Sequence, residues 1–249
     1  MKITQTLIFP LSIPLIEPIK MAKEVIVDAK TVLVCLTDED GRQGWGEASV
    51  APLMTGETLD SLLASVKYLA EKIRTAEWVD PKAFISQLDA ILYGNPSAKS
   101  CLEMALLDLY TQKKSIPLWK YLQSLSNTNA VASPNEIPLL RMLGGTLEKE
   151  IADAKTFRQA GFKHWKIKIG LLSLDEDLHR VKVLSALLKG DVVSVDANGA
   201  MSLEDAIRFC ESEEAKNLSF AEQLINANSP LEDFVQLKKH SAIPIALDE

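Results

Sequence analysis

Five charged side chains stand at the ends of apolar runs in the second half of this chain. Lys166 and Lys168 lie in WKIKIG, Asp196 in VVSVDAN, Glu222 in LSFAEQ and Asp248 in IPIALDE. The gaps are 30 residues from Lys166 to Asp196, then 26 to Glu222 and 26 to Asp248. One strand, one helix and two short loops need about that length. The spacing therefore predicts each charge at the C-terminal end of a parallel strand, the end where α/β barrels keep their chemistry. Lys166 and Lys168 are two apart on one strand, so they share a face. Side by side, two ammonium groups repel. That repulsion, with desolvation, is expected to lower the pKa of at least one and make it a general base near neutral pH. Read alone, the KxK pattern fits a solvated strand edge better than a base.

Asp196, Glu222 and Asp248 end three successive strands. Converging carboxylates without cysteine or histidine offer hard oxygen ligands, suited to Mg²⁺ or Mn²⁺. Asp196 or Asp248 taken singly also reads as a cap for the following helix; the joint pattern is harder to assign to capping. Asn198 and Gln223 add polar groups at the same depth. A divalent ion beside a lysine base suits one difficult task, removal of the weakly acidic proton next to a carboxylate. The cation binds the carboxylate and stabilises the resulting enediolate.

The elements that must hold these groups are legible in outline. A β-rich run, Thr31–Thr37, turns through Asp38-Glu39-Asp40-Gly41 and returns at Gln43–Ala48, a hairpin pattern. Helical spacing of apolar residues covers Thr58–Arg74 and Ser97–Lys113. Residues 115–136 become polar, with SLSNTNAVASPNE as a linker. Beyond it, strands are expected at Ile137–Leu143, His164–Ile169, Val192–Asp196, Leu218–Glu222 and Ile243–Asp248. Helices at Leu147–Ala160, Leu174–Leu188, Leu203–Glu214 and Leu231–Lys239 alternate with them. This implies a parallel sheet, compatible with an open doubly wound sheet or with the start of an eight-stranded barrel lacking its last three strands. The chain thus divides into 1–125 and 126–249.

Composition sets bounds. A chain of 249 residues with 47% apolar content can bury a sizeable core. A net charge of −7 argues against nucleic acid as a partner. Cys35, Cys101 and Cys210 share no metal-site spacing and read as buried thiols of a reducing, cytoplasmic compartment. Pro10, Pro14, Pro18 and Glu17 interrupt the apolar N-terminus, so neither a signal peptide nor a membrane span is expected. Trp45, Trp78, Trp119 and Trp165 are assigned to the core or a domain boundary, with Trp45 between two glycines the one candidate for a site role. His164, His179 and His240 lack partners at ligand spacing.

The motifs GWGEA (44–48), TGETLDS (55–61), GNPSAKSCLEMALLDL (94–109), KIKIG (166–170), VDAN (195–198), AEQ (221–223) and ALDE (246–249) occur in this order. In that order they resemble the enolase superfamily, in its mandelate racemase/muconate lactonizing enzyme group. The GN-SAK-EMAL-D stretch is most similar to dipeptide epimerases of the L-Ala-D/L-Glu type. The resemblance implies an α/β protein with an N-terminal α+β capping domain (1–125). A (β/α)7β TIM-like barrel carrying the metal site would follow (126–249), incomplete here with about five strands. It implies Asp196, Glu222 and Asp248 as Mg²⁺ ligands. Lys168 would be the base, with Lys166 beside it lowering its pKa and contacting the substrate carboxylate. The loop around 14–28 and the TGET segment with Thr55 would close over a small carboxylate substrate, a dipeptide, in a homo-oligomeric isomerase. Where Ala-Glu epimerases offer an arginine to the substrate, this chain has Glu24, which points to a neutral or cationic dipeptide. Arg141, near the end of the first barrel strand, would bind an anion or pair with a barrel carboxylate.

The chain departs from the pattern in two places. Leu224 replaces the usual proline after Glu222-Gln223. The opposite-face lysine and the DxD motif that holds the dipeptide ammonium group would both lie beyond Glu249. If 249 residues is the full length, no epimerisation by the isolated chain is expected. Other readings are a lyase of the same group, such as an o-succinylbenzoate synthase or cycloisomerase, and an inactive fragment that only binds metal or a partner.

Overall fold

Alternating apolar residues draw the first residues of the chain into a long strand, β1 (Ile3–Lys20), despite three prolines. It pairs antiparallel with β2 (Val25–Asp38), which pairs in turn with β3 (Gln43–Ser49). Because β1 is an edge strand, its prolines forfeit no ladder bond on a second side, and the register is irregular between Pro14 and Ile19. The segment expected as a closing loop around 14–28 is therefore largely a β-arm: Pro14 pairs with Asp28 and Ile19 with Ile26. The computed structural model describes residues 1–20, 25–125 and 137–248. Glu24 and the linker at 126–136 lie outside the described residues.

Among the described residues of the first unit, Met1–Ala132, five α-helices follow: α1 (Pro52–Thr55), α2 (Leu59–Ile73), α3 (Phe84–Ile91), α4 (Pro96–Lys113) and α5 (Leu118–Leu125). The last of these occupies sequence read as polar connection. Its Tyr121 is buried and its ring lies 5.4 Å from that of Tyr110, and this contact overrides the weak local pattern. Helix α4 buries Ala98, Cys101, Leu102, Ala105, Leu106 and Leu109, one face at helical spacing. That face meets β3 at Gly44 and Gly46, the two inward residues flanking Trp45. Trp78 and Trp165 are fully buried, whereas Trp45 and Trp119 are about half exposed.

The second unit, Ser133–Glu249, alternates strand and helix. Its strands are β4 (Leu140–Leu143), β5 (His164–Lys168), β6 (Val192–Asp196), β7 (Ala221–Glu222) and β8 (Ile245–Ala246). Between them run α6 (Leu147–Gln159), α7 (Leu174–Leu187), α8 (Leu203–Glu211) and α9 (Leu231–His240). The strands form one parallel sheet in sequence order. Thr146, Ser173 and Ser202 cap α6, α7 and α8 by accepting from backbone N–H groups of the first turn, each contributing about 1 kcal/mol. Trp165, Ile167, Val193, Val195 and Ala221 face a core built with Val181, Leu184, Phe209 and Leu237. Among the described residues, no helix is long and apolar enough to cross a membrane.

All three cysteines are buried and free. Burial pushes each thiol pKa upward, that of Cys101 to about 12. Only the thiolate is nucleophilic, so native protein at pH 8 should take up essentially no iodoacetamide, while denatured protein takes up three equivalents, counted by mass. Rapid labelling of the native chain would contradict this packing.

Candidate active site

The parallel register sets Lys168, Asp196 and Glu222 in one row across β5, β6 and β7, and pairs Glu222 with Ala246 on β8. Asp248 follows two residues later. Side chains alternate along a strand, so Lys166 shares this face, whereas Trp165 and Ile167 are buried in the helix-side core. The ends of four strands thus carry two ammonium groups and three carboxylates within one short stretch of sheet edge.

The cations and anions engage directly. Lys166 Nζ lies 2.8 and 2.7 Å from the two oxygens of Glu222 and 3.7 Å from Asp196 Oδ2. Lys168 Nζ lies 2.5 Å from Asp196 Oδ2 and also donates to Asn198 Oδ1. The second oxygen of Asp196 accepts the Asn198 backbone N–H at 2.9 Å. Asp196 is buried, while Lys166, Lys168 and Glu222 are partly buried. Asp248 is exposed; its N–H donates to Gln223 Oε1 at 2.7 Å.

These pairs alter one expectation. Burial alone would lower the pKa of Lys166, but the Glu222 hydrogen bond and the charges of Glu222, Asp196 and Asp248 outweigh it and hold this ammonium above the ordinary lysine value. Repulsion between the lysines was expected to lower the pKa of at least one. At Lys166 the carboxylates dominate, because they are in direct contact with it.

Two residues beside the row adopt left-handed backbone: Asn198 at φ +44° and Gln223 at φ +40°. This conformation is uncommon outside glycine. Here it lets the chain turn immediately after Asp196 and Glu222: the Gly199 N–H donates to the Gln223 carbonyl at 2.6 Å, joining the two turns. Such strain is found where surrounding structure fixes a functional geometry.

Not every candidate joins the row. Arg141 pairs in register with Trp165 and therefore lies on the helix side of the sheet, its guanidinium 3.7 Å over the Phe157 ring. A one-residue register difference reverses the face a strand residue presents, and sequence alone did not fix it; Met142 is the β4 residue paired with Lys166. In the first unit, Thr55 ends α1, exposed, donating to the Ala51 carbonyl at 3.2 Å and accepting from the Glu57 N–H. The TGET motif also holds a residue that spacing did not single out. Glu57 is buried, and its carboxylate accepts from the Ser97 and Ala98 N–H groups at the start of α4, the positive end of that helix.

The donor set offers only carboxylate oxygens, the chemistry of a Mg²⁺ site, and the rim already concentrates positive charge against them. Among the described residues, no three acid, histidine or cysteine side chains converge closely enough to enclose a metal ion; Asp196 and Glu222 are turned onto the lysines instead.

Residues 3–122 match the mandelate racemase/muconate lactonizing enzyme N-terminal domain, and residues 149–249 match the enolase C-terminal domain-like family. The hydrophobic dipeptide epimerase of Citrifermentans bemidjiense is 32% identical over 208 residues, covering 82% of this chain and 55% of that protein. A substrate-liganded complex of the L-Ala-D/L-Glu epimerase from Bacillus subtilis matches with a TM-score of 0.88 at 25% identity, covering 100% of this chain and 68% of that one. The dipeptide epimerase from Cytophaga hutchinsonii, solved with Mg and the dipeptide D-Ala-L-Val, matches with a TM-score of 0.87 at 27% identity, covering 100% of this chain and 66% of that one. The chain spans between about half and two thirds of the length of these relatives.

Proposed function

Because the chain belongs to the enolase superfamily, with its N-terminal capping domain and part of its α/β barrel domain, we propose that it serves a Mg²⁺-dependent dipeptide epimerase. The observation that carries this reading is the row Lys168–Asp196–Glu222 with Lys166 beside it. It supports a reading in which a base, a fixed cation and hard oxygen donors stand at the ends of adjacent strands.

In this reading Asp196, Glu222 and Asp248 would hold Mg²⁺. When bound, Mg²⁺ supplies positive charge for the substrate carboxylate, on which charge builds as the neighbouring proton leaves. Lys166, held on Glu222, is the side chain that contacts the substrate carboxylate. Lys168 takes the α-proton, and Asp196 and Asn198 orient its side-chain nitrogen toward the rim. Inversion requires a second base on the opposite face of the α-carbon; exchange of the proton at the Lys168 face does not. The dipeptide's second residue is neutral or cationic if Glu24 faces it.

The test is product analysis. The protein is incubated in D₂O with Mg²⁺ and dipeptides whose C-terminal residue is apolar, anionic or cationic, and products are separated by chiral chromatography and weighed. Uptake of one deuterium by an apolar or cationic dipeptide, abolished by EDTA, is expected. Failure of the whole panel would overturn the reading. Loss of water from a cyclohexadiene acid substrate instead would assign the site to the elimination branch.

A further inference from the structure

Three charges are buried behind β5, away from the rim. Glu150 on α6 and Asp177 on α7 have no exposed surface, and Arg180 on α7 is 6% exposed. The Arg180 guanidinium grips Glu150 through Nη2 at 2.5 Å and Nε at 3.1 Å, and donates from Nη1 to Asp177 Oδ1 at 2.8 Å. It also donates from Nη2 to the backbone carbonyl of Lys168 at 3.0 Å. The other Asp177 oxygen accepts the Gly170 N–H at 2.6 Å. Residues 168–170 are therefore held at both ends, the carbonyl by the arginine and the amide by the aspartate. The turn between them passes through Gly170 at φ +84°, where an added Cβ would lie 3.1 Å from the Ala200 Cβ.

Stability is a poor explanation for this cluster. Taking ions out of water costs several kcal/mol each, and well-packed apolar side chains often replace a buried ion triad without loss. What apolar side chains cannot do is bond a strand-end carbonyl and amide. Lys166 is secured through its own ammonium by Glu222, two strands away, whereas the Lys168 ammonium meets Asp196 and Asn198 from a strand that ends at that residue.

We propose that Arg180, braced by Glu150 and Asp177, is a positioning residue for Lys168, fixing the end of β5 so that the lysine amine stays aligned with Asp196. The inference rests on the reading of Lys168 as the base. Arg180→Lys keeps the charge but loses the planar fork that serves two carboxylates and a carbonyl together. In protein labelled with ¹⁵N-lysine, the Lys168 ammonium resonance should broaden away in R180K while that of Lys166 persists. The kcat for α-proton exchange should fall at least about tenfold, within the ~10²-fold that a 1 Å misplacement costs, with KM nearly unchanged. Asp177→Asn, which removes charge but retains an acceptor, should move both readouts in the same direction and covers the case in which R180K does not fold. An unchanged Lys168 resonance in either folded variant, or activity lost only in proportion to folded protein, would overturn the proposal. If wild-type protein exchanges no dipeptide proton, the epimerase reading fails, and the two ammonium resonances still decide the positioning role.

Discussion

Lys168→Arg is expected to lower the rate of α-proton exchange by about 10²–10⁴-fold, the contribution of a positioned general base. Arginine is the informative substitution because it keeps a cation beside Asp196 and so leaves no buried carboxylate unpaired. Its guanidinium stays protonated and so cannot act as a base near neutral pH. The variant should fold normally by circular dichroism, with a thermal midpoint near that of wild type. Lys166→Arg should behave differently, raising KM as well as lowering kcat, if that position, as proposed, binds the substrate carboxylate without taking the proton. Steady-state exchange rates for the two variants separate the roles. If K168R keeps more than about a tenth of wild-type exchange, far above the loss expected for a missing base, the base lies elsewhere.

The second large effect concerns the first unit. A Cβ at residue 46 would sit 1.9 Å from the Cys101 carbonyl oxygen and 3.0 Å from the Ala105 nitrogen, both backbone atoms of α4. No side-chain rotation relieves such a contact; β3 and α4 must separate. Gly46→Ala is therefore expected to cost at least about 3 kcal/mol, the upper end of overpacking effects. That corresponds to roughly 6–12 °C in the melting transition of a protein this size. Gly41→Ala is the contrasting case: residue 41 has a positive φ of +80°, which residue 46 does not, but no atom lies within 4 Å of an added Cβ. Its cost should stay near 1–2 kcal/mol, that of a left-handed L-residue. Equal losses for the two variants, measured by thermal and urea denaturation, would show that the β3–α4 approach is not what the glycines serve.

The sequence discloses the strand-end charges because the strand–helix repeat keeps a nearly constant spacing of 30, 26 and 26 residues. A carboxylate recurring every 26 residues therefore returns to the same edge of the sheet. Quantities set by contact were not disclosed. Arg141 faces the helices because of the β4–β5 register, which a four-residue strand hardly encodes. Lys166 has a raised pKa because Glu222 meets it across 56 residues of sequence. Glu150, Asp177 and Arg180 carry no sequence signal that joins them, and only packing brings them together beneath Lys168. The long strand β1 went unread in the N-terminal sequence, whose prolines are tolerated because β1 lies at the sheet edge.

If Lys168 is the base, the proton it removes is the one next to the substrate's free carboxylate. In a dipeptide that proton belongs to the C-terminal residue, and ¹H NMR in D₂O distinguishes it from the α-proton of the N-terminal residue. With protein and Mg²⁺ present, the C-terminal α-proton signal of an accepted dipeptide should disappear with first-order kinetics while the N-terminal one persists, and EDTA should stop the loss. Persistence of both signals across the dipeptide panel, or washout at the N-terminal residue instead, would contradict the account.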